Sequence, residues 1–378
     1  MKTIKIVHCA DIHLGSELSI LGNKAAVRKA EIKGTFFNIL KLCRDENVEL
    51  LLIAGDLFDD VHVNKNLLCE IRDGFDAIKD TTVVIAPGNH DPASSDSPYV
   101  IKNFWPKNVI IFKNSLEKVE IKDSSVCVWG TAFLSTQSKS SMIKNFKNVD
   151  DGLINICVVH GELVAQNQRS RYNPITEKQI SDSKMDYIAL GHIHKKTDVL
   201  KAGSTFYAYS GCPEGRGFDE LDEKGIYIGT ISKDICKLDY RRVCGRMNIE
   251  LRVDISNAQN ARTAADIIID KMKLRFGEKY AENLYKIDLY GMLSNNVNID
   301  INDIRLFLCD VFFIKLKDST RMNIDFDNLS DEITLKNVFV RKMLERIDNA
   351  EPKEKEKLYM ALKIGLRAFS CEVKYNED

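Results

Sequence analysis

Seven histidines occur in the chain, and two of them stand two residues apart in Gly191-His192-Ile193-His194, directly after the apolar run Tyr187–Leu190. Alternate residues of an extended segment face the same way, so His192 and His194 can converge on one point. Four other polar clusters share this setting. Asp11-Ile12-His13 follows Thr3–Val7, and Gly55-Asp56-Leu57-Phe58-Asp59 follows Leu50–Ile53. Gly88-Asn89-His90-Asp91 follows Val83–Ala86, and His160-Gly161-Glu162 follows Ile154–Val159. Carboxylate, amide oxygen and imidazole without thiolate suit Mn²⁺, Fe²⁺ or Zn²⁺ better than a structural zinc or a calcium site. Seven such side chains, Asp11, His13, Asp56, Asn89, His160, His192 and His194, are too many for one ion. Two ions about 3.5–4 Å apart, sharing one carboxylate, would use them all and clamp a phosphoryl group for in-line attack. The glycines before Asp56, Asn89 and His192 permit sharp turns that lift those side chains above a sheet edge. A lone Asp-x-His is common, and one His after a strand is more often a satisfied polar residue than a ligand. The five clusters together define a site because a site is the mutual geometry of several groups.

Such a site needs elements that bring five segment ends together. The apolar runs before the clusters are buried-strand signals, and helical patterns at Ala25–Glu46 and Asn64–Ile78 separate the first three. This β-α-β-α-β rhythm predicts a sheet covered by helices, with ligands gathered at the carboxyl ends of its strands. Val109–Thr131 reads as further strands and turns of a second sheet. Near Val243 the character changes: residues 247–253 read as a strand, Asn257–Phe276 as a helix and Leu284–Tyr290 as a strand, a compact β-α-β unit. Beyond Leu335, Val338, Leu344 and Ile347, then Leu358, Leu362 and Phe369, recur at helical spacing on either side of the charged run Glu351–Lys357, read as a linker. These stripes suit either packing on their own domain or a partner's groove.

The bulk properties exclude several classes. With 378 residues, 44% of them apolar, the chain can fill a full domain and a smaller one. Lys+Arg 54 against Asp+Glu 55 gives a formal net charge of -1, so DNA must be held by a local patch or by bound cations. Ten cysteines stand singly, without a CxxC pair, which argues against a zinc ribbon and a disulfide scaffold. No signal peptide and no membrane-length apolar segment is present, so a soluble cytoplasmic protein without a membrane partner is expected.

Taken in order, DIH, GD, GNHD, H and GHIH resemble the pattern of the calcineurin-like metallophosphoesterases. HCADIHLG, GDLFD, GNHDPASSDSPY, SGCPEGRGFDE and the C-terminal ALKIGLRAF are similar to that family's DNA-repair exonuclease branch, the SbcD-like and YhaO-like proteins. The absence of an Arg after Asp59 counts against the phosphoprotein phosphatase branch. The resemblance implies an α/β fold, a double-layered β-sandwich flanked by helices, with a smaller α+β C-terminal cap domain over a DNA groove. It implies a nuclease domain at 1–243, the cap at 244–334 and a partner-binding helical segment at 335–378. It also implies Asp11, His13, Asp56 and His194 on one metal and Asp56, Asn89, His160 and His192 on the other, with Mn²⁺ as the expected divalent ion. The expected function is phosphodiester hydrolysis, by a DNA exonuclease or endonuclease in DNA repair. Its partners would be DNA, a coiled-coil SbcC-like or YhaN-like ATPase subunit, and a second copy in a homodimer. A small-molecule phosphodiesterase or phosphatase, and a DNA-end-binding scaffold with weak nuclease activity, are the alternatives.

Two residues are expected to be catalytic. His90, beside Asn89, is placed to give a proton to the leaving oxygen. Asp59 stands where archaeal and eukaryotic members of the branch carry His; it either hydrogen-bonds and orients His90 or caps the next helix. Arg216 either forks onto a substrate phosphate oxygen or is a solvated turn residue. His8 is expected in the core or behind the ligands, and His62 has no assigned role.

Overall fold

The strand β1 (Thr3–Cys9) alternates at its start, where Thr3 is exposed and Lys5 half-buried, and is buried on both faces from Ile6 onward. This computed structural model describes residues 2–121, 124–144, 146, 152–294, 297, 299–323 and 334–369 of the chain. After β1 come α1 (Ala25–Asp45), β2 (Leu50–Ile53), α2 (Lys65–Asp76), β3 (Thr82–Ile85) and β4 (Val109–Ile111). Next are β5 (Glu117–Ile121), β6 (Val126–Gly130), β7 (Ile154–His160), α3 (Glu177–Ser183) and β8 (Tyr187–Gly191). Then follow β9 (Leu200–Ala202), β10 (Thr205–Tyr209), β11 (Gly225–Ser232) and β12 (Ile235–Arg242).

Two six-stranded sheets result, in the orders β12-β11-β1-β2-β3-β4 and β5-β6-β7-β8-β10-β9. Strands β1 to β4 are mutually parallel, as are β6, β7, β8 and β10. The register pairs Cys9 with Ile53, Ile53 with Ile85, and His160 with Gly191, so within each sheet the carboxyl ends line up at one edge. Side-chain alternation sorts each strand between two cores. Ile4, Ile6, Leu50, Leu52 and Val84 meet Val128, Ile156, Val158 and Ala189 between the sheets. Val7, Leu51, Ile53 and Ile85 pack outward on Phe36 and Ile39 of α1 and Ile71 and Phe75 of α2. Val159 and Ile188 face Ile180 of α3. The expected double layer flanked by helices is therefore present. One expectation is corrected: β4 pairs with β3 and completes the first sheet, so only β5 and β6 of the Val109–Thr131 segment lie in the second.

The chain divides into two compact units, residues 1–248 and 249–378. The second contains β13 (Asn248–Asp254, which begins one residue before the boundary), α4 (Ala261–Phe276), β14 (Leu284–Tyr290), β15 (Met292–Ser294) and α5 (Ile301–Phe307). It continues with β16 (Phe313–Asp318), β17 (Arg321–Asn323), α6 (Leu335–Asp348) and α7 (Pro352–Phe369). Helix α4 starts at Ala261 rather than Asn257, because Asn260 and Thr263 form a reciprocal capping box there. The run Glu351–Lys357 is not a linker: α7 begins at Pro352, a residue suited to the first helical position, and its Glu and Lys residues favour helix. Helices α6 and α7 pack through Val340, Met343, Ile347, Leu362 and Leu366. Residues 370–378 of the expected C-terminal segment lie outside the described residues.

Candidate metal centre

Four of the seven expected ligands occupy backbone conformations that L-residues rarely adopt. Asp11, His13, Asp56 and His192 have φ of 54°, 51°, 50° and 101°. Each such residue costs on the order of 1–3 kcal/mol, and clusters of them mark functional sites. The turns lock one another: Asp11 N donates to Gly55 O, and His13 N to Asp56 O, both at 3.0 Å. Of the three glycines before ligands, Gly55 supplies a positive φ of 92°. Gly88 and Gly191 are needed instead for close approach, since a Cβ would stand 2.1 Å from Asp56 Oδ1 or 1.7 Å from Ala54 O.

These turns bring all seven side chains together. Asn89 Oδ1 lies 3.0 Å from His160 Nε2 and 3.1 Å from His192 Nδ1. Asp56 Oδ2 is central, 3.4 Å from His160 Nε2 and 3.6 Å from His13 Nε2. His13 and His194 present their Nε2 atoms to each other at 3.3 Å, and Asp11 Oδ1 lies 3.8 Å from His194 Nε2. Atoms bound about 2.0–2.2 Å from one ion sit roughly 2.8–3.6 Å apart, so this spacing fits coordination. The three groups Asp11/His13/His194, Asp11/Asp56/His160 and His13/Asp56/His90 each keep their ligand atoms within 4.8 Å of one another. Charge makes the same point. Asp11 and Asp56 are 0% and 1% exposed, and among the described residues their ion-pair partners are histidines only. Two buried carboxylates need a cation or protons. Burial alone would lower the pKa of His160, but Asp56 and then Asp11 push it up to about 9. His192 goes the other way, down to about 4, through burial and then the charge of His160.

The surrounding side chains differ from expectation in two places. The Asp59 carboxylate binds His13 Nδ1 at 3.0 Å and not the His90 ring, whose Nδ1 donates instead to the Asp59 backbone carbonyl at 3.2 Å. Nor does Asp59 cap α2; Asn64 does, accepting from Asn66 N and Leu67 N. The reason is positional, because the Asp59 side chain turns back toward β1 while its carbonyl faces the Asn89–His90 turn. Arg216 reaches the centre rather than lying in a solvated turn, and its guanidinium donates to Asp59 Oδ1 at 2.9 Å and Glu220 Oε1 at 3.0 Å. His8 lies in the core, donating from Nε2 to Leu190 O at 3.2 Å and accepting at Nδ1 from Tyr187 Oη at 2.9 Å. His62 is exposed and bonds Asp60, away from the cluster.

Three residues were not anticipated. Glu220, 3% exposed, accepts from His194 Nδ1 at 2.6 Å; its one sequence signal is its place four residues after Arg216. Asp91 holds the Gly88–Asp91 turn, accepting from Gly88 N at 2.8 Å, Phe58 N at 3.0 Å and Tyr99 Oη at 2.6 Å. Burial, then the charge of Asp56, pushes its pKa up to about 7. Tyr172 lays its ring over His192 at a centroid distance of 4.8 Å. Asp91 closes the Gly88–Asp91 motif, which marks it without giving it a role, whereas nothing in the spacing of Tyr172 marks it.

Comparison with known proteins agrees with this geometry. The metallophosphoesterase YhaO of Bacillus subtilis is 26% identical over 283 residues, 72% of this chain and 68% of its own. The DNA double-strand break repair protein Mre11 of Saccharolobus solfataricus is 23% identical over 344 residues, 86% of this chain and 85% of its own. The SbcD component of the nuclease SbcCD from Staphylococcus saprophyticus is 22% identical over 391 residues, 95% of this chain and 98% of its own. These relatives support the DNA-repair exonuclease branch. The sequence profile of the calcineurin-like phosphoesterases matches residues 4–196, just over half of the chain, and takes in every strand-end motif of the centre. The chain belongs to the calcineurin-like phosphoesterase family.

Proposed function

We propose that this protein is a two-metal phosphodiesterase that cleaves DNA, as an exonuclease or endonuclease in DNA repair, together with an ATPase partner. The observation that carries the reading is the central position of Asp56 between two sets of donors. Asp11, His13, Asp56 and His194 would hold one ion and Asp56, Asn89, His160 and His192 the other. The absence of thiolate and the mix of carboxylate, amide and imidazole suit Mn²⁺, Fe²⁺ or Zn²⁺, and among these the resemblance to the DNA-repair exonuclease branch favours Mn²⁺. When bound, two such ions supply positive charge for the phosphoryl oxygens and acidify a water at neutral pH. His90, exposed and fixed at Nδ1 by the Asp59 carbonyl, keeps Nε2 for proton delivery to the leaving oxygen. His13 and His194 keep their donor nitrogens aimed at one point.

DNA as the substrate is supported by the relatives named for double-strand break repair and for the nuclease SbcCD, whose name itself implies a second component. The proposed partner site is the helix pair α6–α7, within 335–378. There Leu335, Val338, Met360 and Ile364 remain 76%, 37%, 59% and 53% exposed after the two helices have packed on each other. A helix with such an outward stripe fits a partner's groove. No helix among the described residues is long and apolar enough to cross a membrane.

The test compares cleavage of end-labelled duplex DNA with hydrolysis of p-nitrophenyl phosphate mono- and diesters, in Mn²⁺ and in chelator. Mn²⁺-dependent DNA cleavage with slow monoester hydrolysis is expected. Rapid monoester turnover with intact DNA would make the protein a phosphatase.

A further inference from the structure

We propose that Arg216, Glu220 and Asp59 form a clamp that orients the two imidazoles of one metal position, which makes Arg216 a positioning residue and not a phosphate ligand; the inference rests on the metal-centre reading above. A carboxylate only accepts hydrogen bonds, so Asp59 Oδ1, 3.0 Å from His13 Nδ1, and Glu220 Oε1, 2.6 Å from His194 Nδ1, place a proton on each Nδ1. Both Nε2 atoms then present lone pairs, and these are the atoms that face each other at 3.3 Å. Arg216 joins the two carboxylates. Its Nη1 donates to Asp59 Oδ1 at 2.9 Å, its Nη2 to Glu220 Oε1 at 3.0 Å and its backbone N to Glu220 Oε2 at 2.6 Å. A planar fork can do this where an ammonium cannot.

The loop that carries the clamp is itself anchored. Glu214, 1% exposed, accepts from Arg28 Nη2 at 2.6 Å and Thr35 Oγ1 at 2.7 Å, both on α1, and from Gly245 N at 2.9 Å. Three of the five N–H groups of the Arg216 guanidinium are thus taken by the carboxylates that hold His13 and His194. At the other proposed metal position His160 Nδ1 donates to a neutral acceptor, the Ala54 carbonyl at 2.9 Å, rather than to a carboxylate. Carboxylate partners raise the basicity of ligand imidazoles, so the position of His13 and His194 is the tighter of the two.

The experiment is calorimetric titration of the metal-stripped protein with MnCl₂, paired with steady-state cleavage of duplex DNA at saturating Mn²⁺. The wild type should show two binding events of unequal affinity. Arg216→Ala, Arg216→Lys and Glu220→Gln should each weaken the tighter event by about 10–100-fold, the usual loss for an outer partner, and leave the other event and the KM for DNA unchanged. Lys at 216 keeps the charge, and Gln at 220 keeps the shape, so these two carry the test if Arg216→Ala does not fold. Variants that titrate like wild type while KM rises would overturn the clamp and make Arg216 a substrate ligand. A wild-type chain that takes up no Mn²⁺ would overturn the metal-centre reading, and the clamp with it.

Discussion

His90 is the exposed imidazole of the centre, its ring 4.7 Å from that of His13 and its backbone N donating to Asp56 Oδ1 at 2.9 Å. Its side chain also falls in a candidate donor group with His13 and Asp56, so its role turns on whether it holds metal or moves protons. We assign it the proton. His90→Asn should keep both Mn²⁺ ions and slow DNA cleavage by about 10²–10⁴-fold, the contribution of a positioned acid. Metal content measured by plasma emission alongside turnover checks this, and a parallel fall in both would make His90 a ligand. The seven donors themselves were legible because each follows an apolar run that can only be a strand, and strand ends share an edge. Asp59 and Arg216 were legible as neighbours of the site but not in their contacts, because hydrogen-bond direction depends on rotamers that no spacing encodes. Glu220 is tied to His194 across 26 residues of loop and strand, a distance that a local pattern does not bridge.

At the scale of elements, His8 on β1 ties the first sheet to the second through Tyr187 and Leu190 of β8. It is fully buried, and burial lowers its pKa from 6.5 to about 3 against the opposing bond to Leu190. Between these two values the unfolded chain binds a proton at this residue and the folded chain does not, so the contribution is complete above pH 6.5 and is lost as pH falls. From pH 6.5 to 5 the loss is about 2 kcal/mol, at about 1.4 kcal/mol per unit. Urea unfolding of wild type and His8→Gln across this range should show a shallower pH slope in the variant; equal slopes would contradict this role. The strands and first two helices were legible because burial on both faces gives β-branched runs and amphipathic stripes give helices. The partner of β4 was not, since a three-residue strand, Val109–Ile111, carries no mark of which sheet it joins. The charged run before Leu358 reads equally as a linker because Glu and Lys serve a solvated helix face as well as a connection, and Pro352 serves a helix start as well as a break.

For the whole molecule, the two sheets matter because their aligned carboxyl ends build one centre from seven side chains spread over residues 11–194, with Asp56 between His13 and His160, where we propose that it is shared by two ions. The second unit contributes none of these donors. Losing the shared carboxylate therefore touches both halves at once, while the buried cores between and outside the sheets keep the fold. Asp56→Ala tests this most directly, with bound Mn²⁺ and phosphodiester cleavage measured on the same folded sample. This variant, like His192→Ala, is predicted to lose the ion pair and with it cleavage of duplex DNA. A folded Asp56→Ala protein that binds two Mn²⁺ ions and cleaves at the wild-type rate would contradict the shared-carboxylate centre.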